Sequence, residues 1–290
     1  MNDFLQLVGT GLMMGSTYAL LAVAFVIIYK ACKIFNFAQG EIMLLGGYFS
    51  WSLLGWFHLG FWPTALLSTL FAFCLGFVIE RFPLRPLIGH PILSIIMVTL
   101  GLSILLRSVI LITWGAVLLP YPEIFGAEPI RIGALIFSQQ HVWSFVSCIG
   151  LLLFFGLFFK FTKLGLLMRA VAEDQILAKS AGTRVHKIIG LSWAIACIIS
   201  AIAGIFLSAI NGVSIGLADY GVKAISAALV GGLESIGGAI TGGLLIGVIE
   251  VLSIVYIGHG VGEVAAYIVL VLVLIVRPYG LFGLTRIERV

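Results

Sequence analysis

Nine apolar runs, most of them about twenty residues long and joined by short charged connections, leave this chain few folds to choose from. Roughly 20 apolar residues in a helix cross about 30 Å of hydrocarbon, and backbone at that depth must satisfy its own hydrogen bonds. The pattern predicts crossings near 4–29, 36–57, 61–81, 92–119, 141–159, 188–210, 219–233, 237–257 and 262–282. The 219–233 run is short, and reads either as a crossing or as a half-helix that re-enters. With 61% apolar and 10% charged residues and a mean hydropathy of +1.21, the bilayer is the main solvent of the chain. A soluble domain is about a quarter charged. The expected fold is all-α: one transmembrane domain over 1–290, a polytopic bundle of about eight to nine spans with broken or half helices. No Lys or Arg precedes the first run, so that run reads as a retained span. Cys32, Cys74, Cys148 and Cys197 are widely spaced and read as small packing residues, not as a disulfide or metal set.

The basic residues set an orientation. Six of the sixteen Lys and Arg lie in 160–187. Lys30, Lys33, Arg81, Arg85, Arg277, Arg286 and Arg289 fall on the same side by alternation. This concentration predicts that side to be cytoplasmic, with the N-terminus outside and the C-terminus inside. Arg131 remains on the opposite side, while Arg107 and Lys223 fall within spans.

The 160–187 segment does not belong in lipid. Read as one helix, it places Leu167, Ala170, Val171, Leu177, Ala178 and Ala181 on one side, with Asp174 intruding, and Arg169, Glu173 and Lys179 elsewhere. Gly182 follows as a helix stop. The pattern fits either a solvated connection or a docking element for a soluble partner.

Two segments look interrupted. Asn36, Gln39, Gly40 and Glu41 break one apolar run, and the glycine pairs 231–232, 237–238 and 242–243 break another around Glu234 and Ser235. Such breaks in both halves of a transporter point to the substrate path, although glycines at this spacing also allow close helix packing. Each ionisable residue within a span, Glu41, Arg107, Asp219, Lys223, Glu234 or Glu250, carries a cost of roughly 2.5–3.5 kcal/mol and needs a partner. Four-residue spacing suggests an Asp219–Lys223 pair, and Arg107 needs Glu250 or a carbonyl. Glu80, Arg81, His90, His259 and Glu263 read as interfacial. There is no GxxxxGK[ST] phosphate loop, and no GxSxG or HExxH motif, so the chain reads as neither an ATPase nor an enzyme.

Three stretches in order resemble the LivH-type permeases of ABC importers for branched-chain amino acids. They are Asn36–Tyr48 (NFAQGEIMLLGGY), Arg169–Gly182 (RAVAEDQILAKSAG) and Gly221–Glu250. Gln39 stands where the family usually has histidine, and Glu234 where it commonly has glycine. The resemblance implies a second, LivM-like permease subunit, two ABC ATPase subunits, and a periplasmic or lipid-anchored solute-binding protein, in a bacterial or archaeal inner membrane. It implies no cofactor in this chain, with ATP and Mg bound by the partners. Arg169, Glu173, Asp174, Ala178 and Gly182 would couple to the ATPase, Glu173 and Asp174 by contact and the two small residues by allowing close approach. Asn36, Gln39, Glu41, Glu234 and Ser235 are the candidates for the translocation path. The cargo would be a branched-chain amino acid or a related small solute such as urea or an amide. An ion-gradient-driven transporter, using Glu41, Glu234 or Glu250 as its titrating group, is the alternative.

Overall fold

The computed structural model describes residues 2–87, 91–124, 126, 128–133 and 135–283. His90, Arg286 and Arg289 therefore lie outside the described residues. Among those described are eleven α-helices: α1 (Asn2–Cys32), α2 (Gln39–Gly55), α3 (Phe61–Ile79), α4 (Ile92–Trp114), α5 (Gln139–Phe161), α6 (Lys163–Glu173), α7 (Gln175–Ser180), α8 (Val185–Asn211), α9 (Asp219–Gly231), α10 (Ile236–Tyr256) and α11 (His259–Val276). A two-stranded hairpin, β1 (Ile130–Ile132) and β2 (Leu135–Phe137), precedes α5 with Arg131 opposite Ile136.

Among the described residues, seven helices are long and apolar enough to cross a membrane: α1, α3 with its extension to Leu87, α4, α5, α8, α10 and α11. The protein is a multi-pass membrane chain. Two of the nine expected crossings are not full spans: α2 has 17 residues and α9 has 13. The reason is local. Asn36 Oδ1 accepts from the Ala38 amide (3.1 Å), closing a turn that delays the start of α2. After α8, a 3₁₀ turn over Ile215–Ala218 delays α9 in the same way.

Helices α1 and α8 form the core. From Ser16 to Ile28, α1 is buried throughout, because Gly11, Gly15 and Ala19 let it lie directly on α10 at Gly243 and Gly247. A Cβ on Gly15 would stand 2.8 Å from the Gly243 carbonyl oxygen. The glycine-rich stretch of α10 is thus occupied by packing: Gly242 lies on α9 at Ala227, and Gly231 on Gly238. Without water to drive apolar association, small residues and the close contact they permit hold such helices together. The outer helices turn Trp62, Leu66, Ile104, Ile112, Leu153, Phe154 and Ile275 outward. Cys148 and Cys197 are buried, whereas Cys74 faces outward; all four thiols are free.

The bundle has two ends. At one, the Gln6 side chain holds both the N–H and the carbonyl of Ile136, fixing the hairpin to the start of α1. At the same end, the Trp51 indole donates to the Pro120 carbonyl (2.9 Å) and the Tyr121 hydroxyl meets Ser50 (2.8 Å). Burial pushes the Tyr121 phenol up to about 12. The other end carries the turns after α1 and α3, the α6–α7 pair, the α9–α10 turn and the end of α11. Helix α1 starts at the first end, and α11 finishes at the other.

Candidate functional site

The candidate residues fall into two groups. The first surrounds the start of α2, halfway along α8. Asn36 Nδ2 donates to Gln39 Oε1 (2.6 Å), and Gln39 Nε2 donates to the Ala196 carbonyl (3.4 Å) and to Ser200 Oγ. Both side chains are fully buried. Asn36 and Gln39 therefore brace the turn against α8 and face no open space. Amides with satisfied partners cost little to bury, and here the protein supplies those partners. Helix α9 begins at the same depth. Gly40 of α2 lies against Gly221 of α9, so close that a Cβ on Gly40 would stand 2.7 Å from the Ala218 carbonyl oxygen. From this meeting point α2 runs toward the hairpin end and α9 toward the opposite end. The positive ends of both helix dipoles converge near mid-bundle, and each helix carries a carboxylate in its first turn, Glu41 and Asp219.

Glu41 is also paired. Arg107 of α4 donates through Nη2 to Glu41 Oε1 (2.9 Å). The Glu41 side chain is only 6% exposed, but that of Arg107 is 43% exposed. The expected partners for the other embedded charges change as well. Lys223 turns away from Asp219 and binds Glu250 Oε1 at 2.6 Å, where both side chains are largely buried. Two charges removed from water together attract more strongly than one does an exposed neighbour, and Asp219 is exposed. Glu80 is not interfacial but buried, held by Arg85 through Nε (3.1 Å) and Nη2 (2.8 Å). His259 and Glu263 are exposed, 3.8 Å apart.

The second group lies at the opposite end of the bundle. Thr162 caps α6, accepting from the Gly165 amide (3.0 Å), and α6 seats Gly165, Met168 and Val171 on the bundle. The continuous helix expected over this segment is broken at Asp174, whose backbone is extended (φ −151°, ψ 111°). Its Oδ1 accepts from the amides of Ile176 (2.7 Å) and Leu177 (3.0 Å), so Asp174 starts α7 and is spent on that cap. The break reorients the next face. Ala178 is buried, whereas Leu177, Ala170 and Ala181 are exposed. Ala178 packs inward against the bundle. Ile176 and Leu177 are 77% and 67% exposed and stand away from the bundle. Gly182 ends the element with φ +83° and open space around it. Arg169 is exposed and donates to the Lys160 carbonyl (3.3 Å), and Glu173 is exposed.

Glu234 and Ser235 belong with this second group. They line a cleft of about 230 Å³ together with Lys30, Lys160, Met168 and Arg169. Glu234 receives Lys33 Nζ at 2.7 Å, tying the end of α1 to the α9–α10 turn. Ser235 caps α10, accepting from the Gly238 amide (3.0 Å). The structure thus separates Glu234 and Ser235 from Asn36, Gln39 and Glu41, and joins them to Arg169. Lys30, Lys33 and Ser200 were not among the expected site residues. The opposite sign of Lys33 and Glu234 was the one available signal, and nothing local marks Ser200.

Against this geometry, the sequence profile described as "Branched-chain amino acid transport system / permease component" matches residues 7–277. The chain belongs to that family. Its relatives include the high-affinity branched-chain amino acid transport system permease protein LivH of Salmonella typhimurium, 31% identical over 302 residues, covering 99% of this chain and 98% of the relative. The corresponding BraD permease of Pseudomonas aeruginosa is 33% identical over 306 residues, with the same coverage. A probable branched-chain amino acid transport permease of Methanocaldococcus jannaschii is 29% identical over 282 residues, covering 91% of this chain and 88% of that protein. The family fold extends further than its sequence. PsaBC from Streptococcus pneumoniae, solved in complex with Fab, superposes with a TM-score of 0.52 at 13% identity, over 96% of this chain and 94% of that one.

Proposed function

We propose that this chain is one of the two membrane subunits of an ATP-driven importer for branched-chain amino acids or a related small solute. It forms the path with a second, related permease and borrows its energy from two ATPase subunits that hold ATP and Mg. A solute-binding protein presents the cargo at the hairpin end. The end carrying α6 and α7 is cytoplasmic, since Lys30, Lys33, Arg81, Arg85, Arg277 and the six cations of 160–187 gather there.

The observation that carries this reading is α7. It displays Ile176 and Leu177 outside the bundle, while α6 behind it rests on the bundle and shares a cleft with the α9–α10 turn. Helices α6 and α7 pack on α8, and α6 also on α1; α1 in turn packs on α9 and α8 on α2, so a partner that pushes α7 acts on the half-helices through α1 and α8. The lever thus couples through packed helices to the half-helices and biases two arrangements of the path. The ion-gradient alternative needs an embedded carboxylate free to titrate. Glu41, Glu250 and Glu234 are each already engaged in a salt bridge, with Arg107, Lys223 and Lys33 in turn. Replacing Leu177 with Glu, or Glu173 with Lys, should abolish uptake in proteoliposomes of the whole complex while membrane insertion stays normal. Normal uptake and ATP hydrolysis in both variants would reject the lever; uptake that persists without ATP but collapses with ionophore would favour the alternative.

A further inference from the structure

A second, larger cleft lies at the basic end of the bundle, away from the one shared by Arg169 and Glu234. Its volume is about 900 Å³. Three separate segments build it: the turn after α3 with Arg81 and Arg85, the end of α7 with Lys179, and the start of α8 with Arg184, His186 and Lys187. Phe77, Val185 and Leu191 supply apolar wall. The lining includes one carboxylate, Glu80, already held by both hydrogen bonds from Arg85. Among the described residues, Arg81, Lys179, Arg184 and Lys187 form no salt bridge with an acid. Four cations thus face one space without a counter-charge. The start of α8 points into the same region with no side chain capping it, which adds the positive end of a 27-residue helix.

We infer that this cleft binds the phosphate headgroup of an anionic phospholipid, with an acyl chain along the apolar wall. Charge selects the class: unpaired Arg and Lys from three segments are the recognition chemistry of a phosphodiester. Size and wall select the source. A volume of about 900 Å³ suits a group far larger than one free anion. Phe77 of the wall belongs to α3, next to the outward-facing Val78, and Phe82 of the following turn is also exposed. Long Lys and Arg stems reach from such a wall to a headgroup at the membrane surface. Because the lipid would touch both the α7–α8 connection and the α3 turn, it would fasten the coupling element to the bundle's edge.

The test uses the full chain in nanodiscs containing equal phosphatidylglycerol and phosphatidylcholine, followed by detergent extraction and native mass spectrometry. The unmodified chain should retain phosphatidylglycerol in preference to phosphatidylcholine. Each of Arg81→Gln, Arg184→Gln and Lys187→Gln should lower that retention about fivefold. Arg131→Gln, at the opposite end, should leave it unchanged, and the double variant R81K/R184K should keep it, separating lost charge from lost fold. Unchanged retention in the combined R81Q/R184Q/K187Q variant would overturn the inference. So would full displacement of the lipid by millimolar glycerol phosphate, which would assign the cleft to a soluble anion. Unchanged lipid together with loss of a copurifying soluble subunit would assign it to a protein.

Discussion

Lys223 and Glu250 show what a single side chain does in this fold. Their ammonium and carboxylate stand 2.6 Å apart between α9 and α10, both largely removed from water. Removing one member strands the other. Lys223→Met is therefore expected to cost about 3–5 kcal/mol, read as a drop in the melting temperature of the purified chain in detergent. The double variant K223M/E250L should recover most of that loss, because two apolar groups leave no buried charge behind. A double variant no more stable than the single one would show that the two charges are not coupled. The sequence marks Glu41, Arg107, Lys223 and Glu250 as expensive, since charges within apolar runs stand out. It does not write their partners. The four-residue rule offers Asp219 to Lys223, a neighbour along the helix, whereas the bond goes to a residue on the next helix. Arg107 likewise finds Glu41 across α2 and α4, a choice made by packing that no local spacing encodes.

Among the elements, α2 and α9 were legible as interruptions, because Asn, Gln and paired Gly in an apolar run leave few alternatives to a bend. Their head-to-head meeting was not legible, since it depends on Gly40 and Gly221 coming together across most of the chain. The break between α6 and α7 was hidden for a different reason. Asp174 is both a helical position and a cap, and an apolar period running through it favours the first reading, while its Oδ1 makes the second. The meeting of α2 and α9 gives an element-level prediction. Gly40→Ala and Gly221→Ala each insert a methyl group where backbone already stands, with Gly221 Cβ placed 2.5 Å from Gly40 Cα. Each should cost about 1–3 kcal/mol and separate the half-helices. Gly101→Ala on α4 meets nothing within 4 Å, and should leave stability unchanged or raise it by up to about 1 kcal/mol. Melting temperature and uptake in the reconstituted complex check both arms. If the α2 and α9 variants transport normally, that junction is not part of the moving path.

For the molecule as a whole, the informative surface is the one that lipid cannot cover. Most of α4 is at ease in hydrocarbon, as Ile104 and Ile112 show at 68% and 86% exposure. Arg107 on the same helix is not, because a half-exposed guanidinium facing lipid costs roughly 2.5–3.5 kcal/mol even on the mildest scales. Glu41 neutralises its charge but satisfies only part of its hydrogen-bonding capacity, since Arg carries five donors. In the assembly proposed above, a second permease subunit, or the water-filled path between the two, is expected to lie against this face of α4. Ser103 stands one turn before Arg107 and shares its face, whereas Ile112 is rotated well away. In a chain with Cys32, Cys74, Cys148 and Cys197 replaced by Ser, Ser103→Cys is expected to react with a water-soluble maleimide in the assembled complex, to an extent that changes on adding ATP. Ile112→Cys should stay unreactive throughout. Equal silence at both positions, with no crosslink from Ser103→Cys to the second permease, would mean that Arg107 escapes to the membrane surface by its own length, and that the path runs along another side of the bundle.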